Sequence, residues 1–433
     1  MTVNSLRKFY ITTLGCKLNF AESSALTNTL SNNGWQHTQT ASEADLIIVH
    51  SCAVTAMAEK KTRQVLSKLL KTAPEAQIAV IGCMADVNSN PLEAMLKNRK
   101  HFIYKHDQKM DLPDLISGDI VSNDTINPFR SGFSIEQRTR SFLKIQDGCD
   151  YFCTYCTIPY ARGRSTSNTI SGVMTDITKI VSNGFREIIL TGVNIGTFGL
   201  HHNESFLKLL KTIDKECKEI RVRLGSTEPD LLQNEIIDLV SNSAILMPHF
   251  HLPLQSGCNT TLQRMHRHYT TNLFQQKIDY IKKQIPTACI AIDVITGFPG
   301  ETENEFEQTI HFIKSLPISY LHVFPYSDRP LAKASKYPNH VDPHTIRQRV
   351  AKLLELGQEK QQIFFQQNLE TIRPVLAEGT RKNGLRYGFT DNYIKCAANE
   401  KLINENELYT LQLKEIDENK EFVRCEFPKK IKN

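Results

Sequence analysis

Cys149, Cys153 and Cys156 offer three thiols spaced four and then three residues apart. A cubane iron–sulfur cluster usually takes four thiolates, so a set of three suggests one iron left open for a substrate or cofactor. An open position separates a reactive metal site from a closed structural one, a rule stated for zinc that carries over to iron. The competing readings are a structural zinc site and a chance grouping. Zinc usually adds a second Cys or Cys/His pair within about 12–20 residues. The next cysteine here, Cys217, is 61 residues on and sits in a charged helical pattern. The spacing favours an open cluster.

A second set of thiols lies upstream. Cys16, Cys52 and Cys83 follow three strand-like runs, at residues 9–14, 46–49 and 78–81. Helical patterns separate the runs. One covers residues 21–30, with Asn19 as its start and Gly34 as its stop, and another covers 55–72. Strands alternating with helices predict a doubly wound parallel α/β sheet. Ligands of such sheets bind beyond the carboxyl ends of the strands. A free cysteine is often only a small core residue. These three, however, follow their strands, and Gly15 and Gly82 precede two of them, where backbone can come close to a bulky ligand. A second three-thiolate cluster is expected there.

The remaining elements must position the first triad. Residues 112–140 are rich in Pro, Gly, Ser and Asn and read as a linker. Six strand candidates follow, at 142–145, 187–190, 220–224, 249–254, 290–295 and 321–324, with helical patterns between them. Six βα units predict a barrel or partial barrel with its chemistry at the carboxyl ends of the strands. Polar and glycine residues collect at those ends, among them Gly192, Asn194, Ser226, Glu228, Gln255, Gly297 and Gly300. From about residue 371 the chain turns to short alternating stretches with hairpin turns such as Lys382-Asn383-Gly384, which predict a small antiparallel β-barrel. Its charge is nearly balanced, twelve Lys and Arg against ten Asp and Glu.

Composition narrows the class. The 433 residues are 40% hydrophobic and 23% charged, as in soluble globular chains rather than disordered ones. No apolar run approaches the ~18 residues that a membrane helix requires. The polar start, Met1 to Lys8, lacks a secretory signal. Eleven cysteines without such a signal favour metal or catalytic use in a reducing, cytoplasmic compartment. A net charge of +6 permits a nucleic-acid partner without demanding one.

The Cys-x3-Cys-x2-Cys run, with Tyr155 before its last thiol, resembles the signature of radical S-adenosylmethionine enzymes. With Cys16, Cys52 and Cys83 upstream and a terminal barrel, the whole chain resembles the radical S-adenosylmethionine methylthiotransferases. The stretches that carry the likeness are Thr13-Leu14-Gly15-Cys16-Lys17-Leu18-Asn19, Ser51-Cys52-Ala53-Val54-Thr55, Leu190-Thr191-Gly192-Val193-Asn194-Ile195-Gly196 and Leu252-Pro253-Leu254-Gln255-Ser256-Gly257. Lys17-Leu18-Asn19 resembles the branch acting on threonylcarbamoyladenosine in tRNA. The isopentenyladenosine branch typically has Gln-Met-Asn there, and the ribosomal-protein branch Pro-Lys-Asn. Val193-Asn194-Ile195-Gly196 and Val323-Phe324-Pro325-Tyr326-Ser327 point to the same branch. The chain departs from the family pattern at His50-Ser51, where Asn-Thr is usual, and at Gly225, where Ser is common.

The resemblance implies an N-terminal methylthiotransferase domain at 1–125, a linker at 126–140, a radical core at 141–366 and a TRAM domain at 371–433. It implies that Cys149, Cys153 and Cys156 hold a 4Fe-4S cluster whose open iron chelates S-adenosylmethionine. One electron would cleave that sulfonium to a 5′-deoxyadenosyl radical, which starts the replacement of C–H by C–S. Cys16, Cys52 and Cys83 would hold an auxiliary 4Fe-4S cluster that binds the incoming sulfur, and a second S-adenosylmethionine would supply the methyl. The implied substrate is N6-threonylcarbamoyladenosine at position 37 of tRNA, with a flavodoxin- or ferredoxin-like electron donor. Tyr155, Gly192, Asn194, Ser226, Glu228, Gln255, Gly297 and Gly300 are expected around the cofactor. Arg264, His266, Arg267 and His268 are expected to face tRNA phosphate. The alternatives are methylthiolation of isopentenyladenosine or of a protein aspartate, a non-catalytic iron–sulfur electron carrier, and a zinc-bound RNA-binding protein.

Overall fold

The structure is a computed structural model that describes residues 7–117, 129–135 and 139–428. Its first sheet contains β1 (Lys8–Thr13), β2 (Gln36–His37), β3 (Leu46–Ser51), β4 (Gln77–Gly82) and β5 (His101–Ile103). The strands are all parallel, in the order β2-β1-β3-β4-β5. Every residue of β3 is buried, as in a parallel strand covered on both faces. Alternate residues serve opposite faces: Ile47, Val49, Ile78 and Val80 join one core, while Leu46, Ile48, Ala79 and Ile81 join another. This is the doubly wound arrangement that the alternation of elements predicts.

The helix after β1 runs Lys17–Asn32, with Cys16 rather than Asn19 at its N-cap. Asn19 lies inside the helix, and its amide donates to the carbonyls of Leu14 (2.8 Å) and Ser51 (3.2 Å). It ties two strand ends together instead of capping a helix. Gly34 follows the helix with φ +84°, the left-handed conformation expected of a stop signal.

The central strands are β6 (Gly132–Phe133), β7 (Arg140–Lys144), β8 (Gln146–Asp147), β9 (Thr166–Ser167), β10 (Glu187–Thr191), β11 (Arg221–Arg223), β12 (His249–Gln255), β13 (Cys289–Thr296) and β14 (Tyr320–Pro325). They form sheets of order β11-β10-β7-β6 and β12-β13-β14, and β8 pairs with β9. Two parallel bridges, Val222 to Leu246 and Ser226 to His251, span the two larger sheets. The six predicted parallel strands are thus β7, β10, β11, β12, β13 and β14, curved into a partial barrel. The predicted linker falls partly on residues 118–128 and 136–138, which lie outside the described residues. Its Gly132–Phe133 portion forms β6, antiparallel to β7, and covers a sheet edge that would otherwise expose unpaired backbone groups. A two-residue pairing carries no periodicity for sequence reasoning to detect.

The C-terminal strands β15 (Ile372–Lys382), β16 (Leu385–Thr390), β17 (Lys395–Asn399), β18 (Leu408–Ile416) and β19 (Val423–Glu426) close a barrel in the order β15-β16-β17-β19-β18. Asn383 and Gly384 have φ of 52° and 76°, the paired left-handed residues of a two-residue hairpin. This barrel docks at the N-terminal end of the central strands. Arg221 donates to the Thr390 carbonyl at 2.8 Å, and Arg223 to the Thr390 and Asp391 carbonyls at 2.6 and 2.5 Å. Glu187, fully buried, accepts from Arg223 Nε at 2.8 Å and forms an ion pair with Arg221 at 2.9 Å. Burial pushes the Glu187 carboxyl up, but the two guanidinium groups outweigh it and hold it below its ordinary value.

Removing one partner of a buried ion pair costs about 3–5 kcal/mol, because it strands the opposite charge. Glu187→Gln is therefore expected to lower unfolding free energy by that amount in urea titrations of the full chain. A loss below about 1 kcal/mol would show that the two arginines are satisfied without it.

Candidate active site

The loop that carries Cys149, Cys153 and Cys156 leaves β8 at the carboxyl end of the barrel and ends in the short helix Ile158–Arg162. Its entry requires glycine: Gly148 has φ +68°, and a Cβ there would lie 2.0 Å from the Arg164 carbonyl oxygen. Each thiol sulfur accepts an N–H. The Tyr151 amide approaches Cys149 Sγ at 3.5 Å, the Ile158 amide Cys156 Sγ at 3.4 Å, and Arg267 Nη1 Cys153 Sγ at 3.0 Å. Donors aimed at sulfur suit deprotonated, metal-bound thiolates. Burial pushes the Cys149 thiol up to about 11 and the Cys156 thiol to about 12. Without a metal these thiols stay protonated, so metal binding must release protons.

Cys16, Cys52 and Cys83 stand at the carboxyl ends of the adjacent strands β1, β3 and β4. Gly15, with φ +110°, makes their approach feasible: a Cβ there would lie 3.1 Å from Cys52 Cβ and 3.2 Å from its sulfur. Burial pushes the Cys52 thiol up to about 11, and Cys83 rises for the same reason. His251, Asp293 and His322 bring three possible ligand atoms within 4.8 Å of one another, a further set outside both triads.

A cavity of about 180 Å³ opens beside the first triad, with Cys156 on its wall. Val54 and Thr55, just past Cys52, form one wall, and Tyr155, Cys156, Thr157 and Ile158 another. Gln255, Asp293, Ile295, Phe324 and Tyr326 close it from the barrel side. Asp293 Oδ1 contacts His251 Nε2 at 2.8 Å and His322 Nδ1 at 3.1 Å. Burial pushes the Asp293 carboxyl up, but its hydrogen bonds with the two imidazoles hold it well below the carboxylate range. A larger concavity, about 1020 Å³, lies between the helices Ile170–Ser182 and Phe206–Glu216, with neither triad on its walls.

The structure sorts the other sequence-predicted residues. Tyr155 and Gln255 line the cavity, and Gln255 has φ +61° and a buried amide oxygen without a partner. Asn194 is buried with both amide atoms unpartnered, as for a side chain awaiting a polar ligand. Gly192 packs on Gln146, whose amide oxygen accepts from the Val193 and Asn194 N–H groups at 2.9 and 2.8 Å. Ser226 bridges to β12, and Glu228 pairs with Arg267. Burial pushes the Glu228 carboxyl up to about 7, against the pull of Arg267. Gly297 and Gly300 do not line the cavity. At Gly297 a Cβ would meet Ile346 at 2.4 Å, so packing explains that glycine.

The predicted phosphate-facing patch is corrected in part. The Arg267 side chain is only 2% exposed and contacts Glu228, Cys153 and Tyr155, so it faces the first triad rather than solvent. Arg264 is held by Glu305 at 2.9 Å. His266 and His268 are exposed, with His268 stacked on Tyr151 at 4.1 Å. Sequence reasoning missed Asp293 and its histidines, because alternation along β12, β13 and β14 reads only as strand.

It also missed a buried ionic set between the two triads. Glu22 Oε1 accepts from Lys109 and Lys144, both at 2.8 Å, and from Arg162 at 3.2 Å. Asp147 Oδ1 accepts from Arg162 at 2.9 Å, and Oδ2 forms an ion pair with the Lys144 ammonium at 2.6 Å. The available signal was Arg162, a cation in the Ile158–Arg162 turn just past the triad.

Comparison with known proteins gives the family of the chain. Residues 8–103 match the family described as "Uncharacterized protein family UPF0004", and residues 143–313 match the Radical SAM superfamily. A Bacillus subtilis protein named threonylcarbamoyladenosine tRNA methylthiotransferase MtaB is 34% identical over 402 residues, covering 88% of each chain. A Desulfotalea psychrophila protein named tRNA-2-methylthio-N(6)-dimethylallyladenosine synthase is 30% identical, covering 90% of this chain and 92% of its own. The solved structure of TsrM, a radical S-adenosylmethionine methyltransferase from Kitasatospora setae, matches with TM-score 0.57 at 11% identity, over 98% of this chain and 86% of that one. The fold is that of a radical S-adenosylmethionine enzyme. The chain belongs to the MtaB-type methylthiotransferase family. Among the described residues, no helix is long and apolar enough to cross a membrane.

Exposure orders the thiols: Cys16 is exposed, Cys149 and Cys156 are partly so, and Cys52, Cys83 and Cys153 are buried. In metal-free protein, iodoacetamide followed by peptide mass mapping is expected to modify Cys16 first and the three buried thiols last. Equal labelling of all six would contradict the folded arrangement of the triads.

Proposed function

We propose that the chain is a radical S-adenosylmethionine tRNA methylthiotransferase that converts N6-threonylcarbamoyladenosine at position 37 to its 2-methylthio derivative. The observation that carries the reading is two separate three-thiol sets at strand ends, with a cavity lined by Cys156 and by Val54 and Thr55, the residues just past Cys52. Cys149, Cys153 and Cys156 would hold one 4Fe-4S cluster, and Cys16, Cys52 and Cys83 the other. The clusters and S-adenosylmethionine supply the radical, the sulfur and the methyl, chemistry that protein side chains lack.

The chain's own residues bind and orient. Asn194, with its unpartnered amide, and Glu228 are suited to the polar atoms of S-adenosylmethionine. Tyr155 and Gln255 line the space for the reacting groups. The half-exposed side chains of Phe324 and Val54 line the cavity and offer apolar surface on which a nucleobase can rest. His266 and His268 remain the exposed members of the patch assigned to tRNA, whereas Arg267 moves to the first triad. The division at 1–125, 126–140, 141–366 and 371–433 is kept, supported by a separate sheet or barrel in each folded part. A flavodoxin- or ferredoxin-like donor and a cytoplasmic location complete the reading.

The name of the Desulfotalea relative gives the second reading, dimethylallyladenosine as substrate. Mass analysis of tRNA nucleosides from cells with and without the gene decides between them. Loss of methylthio-threonylcarbamoyladenosine is expected. Its persistence, without a second gene of this kind, sinks the substrate assignment.

Two variants test the division of labour. Cys153→Ala is expected to abolish 5′-deoxyadenosine formation. Cys52→Ala should keep some of it and lose the methylthio product. Gly15→Ala, which crowds Cys52 and Asn19, is expected to halve the iron bound per chain with the first triad's iron retained. Full iron content in that variant would argue against a cluster packed on Gly15.

A further inference from the structure

The helix that closes the Cys149–Cys156 loop ends in Arg162, a residue of neither triad that reaches the other one. Its guanidinium is buried, and Nη1 donates to Glu22 Oε1 at 3.2 Å and Asp147 Oδ1 at 2.9 Å. Nη2 donates to Asn19 Oδ1 at 2.6 Å and Glu22 Oε2 at 3.2 Å. Asn19 Oδ1 also accepts from the Cys16 thiol at 3.7 Å, so a single oxygen joins the guanidinium to the second triad.

Within ion-pair distance the charges do not cancel, and Asp86 makes no ion pair with the cations of the set. Three cations, Lys109, Lys144 and Arg162, face two carboxylates, Glu22 and Asp147. His50 touches Glu22, but burial pushes its imidazole down to about 3 and keeps it neutral. Burial likewise pushes His106, beside Asp147, down to about 4. Asp86, at the edge of the set, accepts the His106 amide, and burial pushes its carboxyl up to about 6. One positive charge in the paired set thus lacks a carboxylate, and a buried unpaired charge is costly. Through Asn19 the guanidinium lies one oxygen away from the Cys16 sulfur.

We propose that Arg162 is a positioning residue whose excess charge offsets the negative charge of an iron–sulfur cluster on Cys16, Cys52 and Cys83 and raises its reduction potential. Cluster potentials respond to nearby charge and to hydrogen bonds on the sulfurs. The proposal rests on the two-cluster reading. It adds that the loop generating the radical also sets the electrostatics of the sulfur-carrying cluster.

The test uses the full chain carrying Cys153→Ala, which leaves Cys16, Cys52 and Cys83 as the one complete triad, reconstituted anaerobically. A mediated redox titration followed by electron paramagnetic resonance reads the remaining cluster. Arg162→Gln is expected to raise the oxidised-to-reduced ratio at a fixed potential at least tenfold, a downward shift of about 59 mV for a one-electron couple. Arg162→Lys, which keeps the charge, should stay within about threefold. Glu22→Gln combined with Arg162→Gln restores the excess charge and should restore most of the potential. An unchanged potential in Arg162→Gln overturns the proposal. So does an equal shift in all three variants, which would mark Arg162 as merely structural. Should Arg162→Gln fail to fold, Lys109→Gln removes the same charge, and no downward shift there overturns the proposal. If the Cys153→Ala protein binds no iron, the two-cluster reading itself has failed, a result separable from any change in potential.

Discussion

Glu22 is the contact on which the arrangement of the site depends. It is fully buried on the helix that begins at Cys16, and its carboxylate receives cations from residues 109, 144 and 162. Those cations come from three separate stretches of chain: the end of the first sheet's region, a central barrel strand, and the turn after the first cysteine triad. Desolvating several charges is expensive, and apolar replacements are often as stable. What an ionic set provides is directional fit. Here it fixes the end of β1 against the end of β7, and so the Cys16 thiol against the Cys149 loop. Burial pushes the Glu22 carboxyl up, yet Arg162, Lys109 and Lys144 outweigh it and hold it well below its ordinary value.

Further contacts fix the same junction from the other side of the cavity. The Ser327 hydroxyl accepts the Ala56 amide at 2.9 Å, and Arg329 pairs with Glu59. These link the helix after Cys52 to the loop after β14. The cavity walls are therefore held at both edges, one by buried charge and one by a helix N-terminus and an ion pair. A radical step needs this rigidity, because a misplacement of about 1 Å can cost ~100-fold in rate.

Sequence reasoning reached the doubly wound sheet, the six parallel strands and the terminal barrel because each rests on local pattern. Continuous apolar runs such as Leu46–Ser51 and hairpin signals such as Asn383-Gly384 are written in neighbouring residues. The six candidate thiols were legible for the same reason. The ionic set was not, since its five charged groups are scattered from Glu22 to Arg162 and each alone reads as a solvated side chain. Arg267 failed in the opposite sense. A run of four cationic or imidazole positions looks like a surface patch, but the pairing with Glu228 that turns Arg267 inward is nonlocal. Asn19 was misread as a cap because its preference for helix starts is local, while its bonds to Leu14 and Ser51 are not.

The far end of the barrel completes the argument. The Phe389 to Tyr393 turn of the C-terminal barrel closes the mouth opposite the triads. Arg140 lies over the Phe389 ring at 4.5 Å, and Arg223 over the Tyr393 ring at 4.9 Å. Arg221 and Arg223 satisfy its carbonyls while sharing the one Glu187 carboxylate. The barrel interior is thereby sealed at its base with polar groups paired, and the cavity stays at the carboxyl rim where both triads lie. The same contacts set the C-terminal barrel in fixed register with the catalytic strands. A macromolecule gripped by that barrel is held at a defined distance from the two sets of thiols, although no residue of the C-terminal barrel lines the cavity beside the first set.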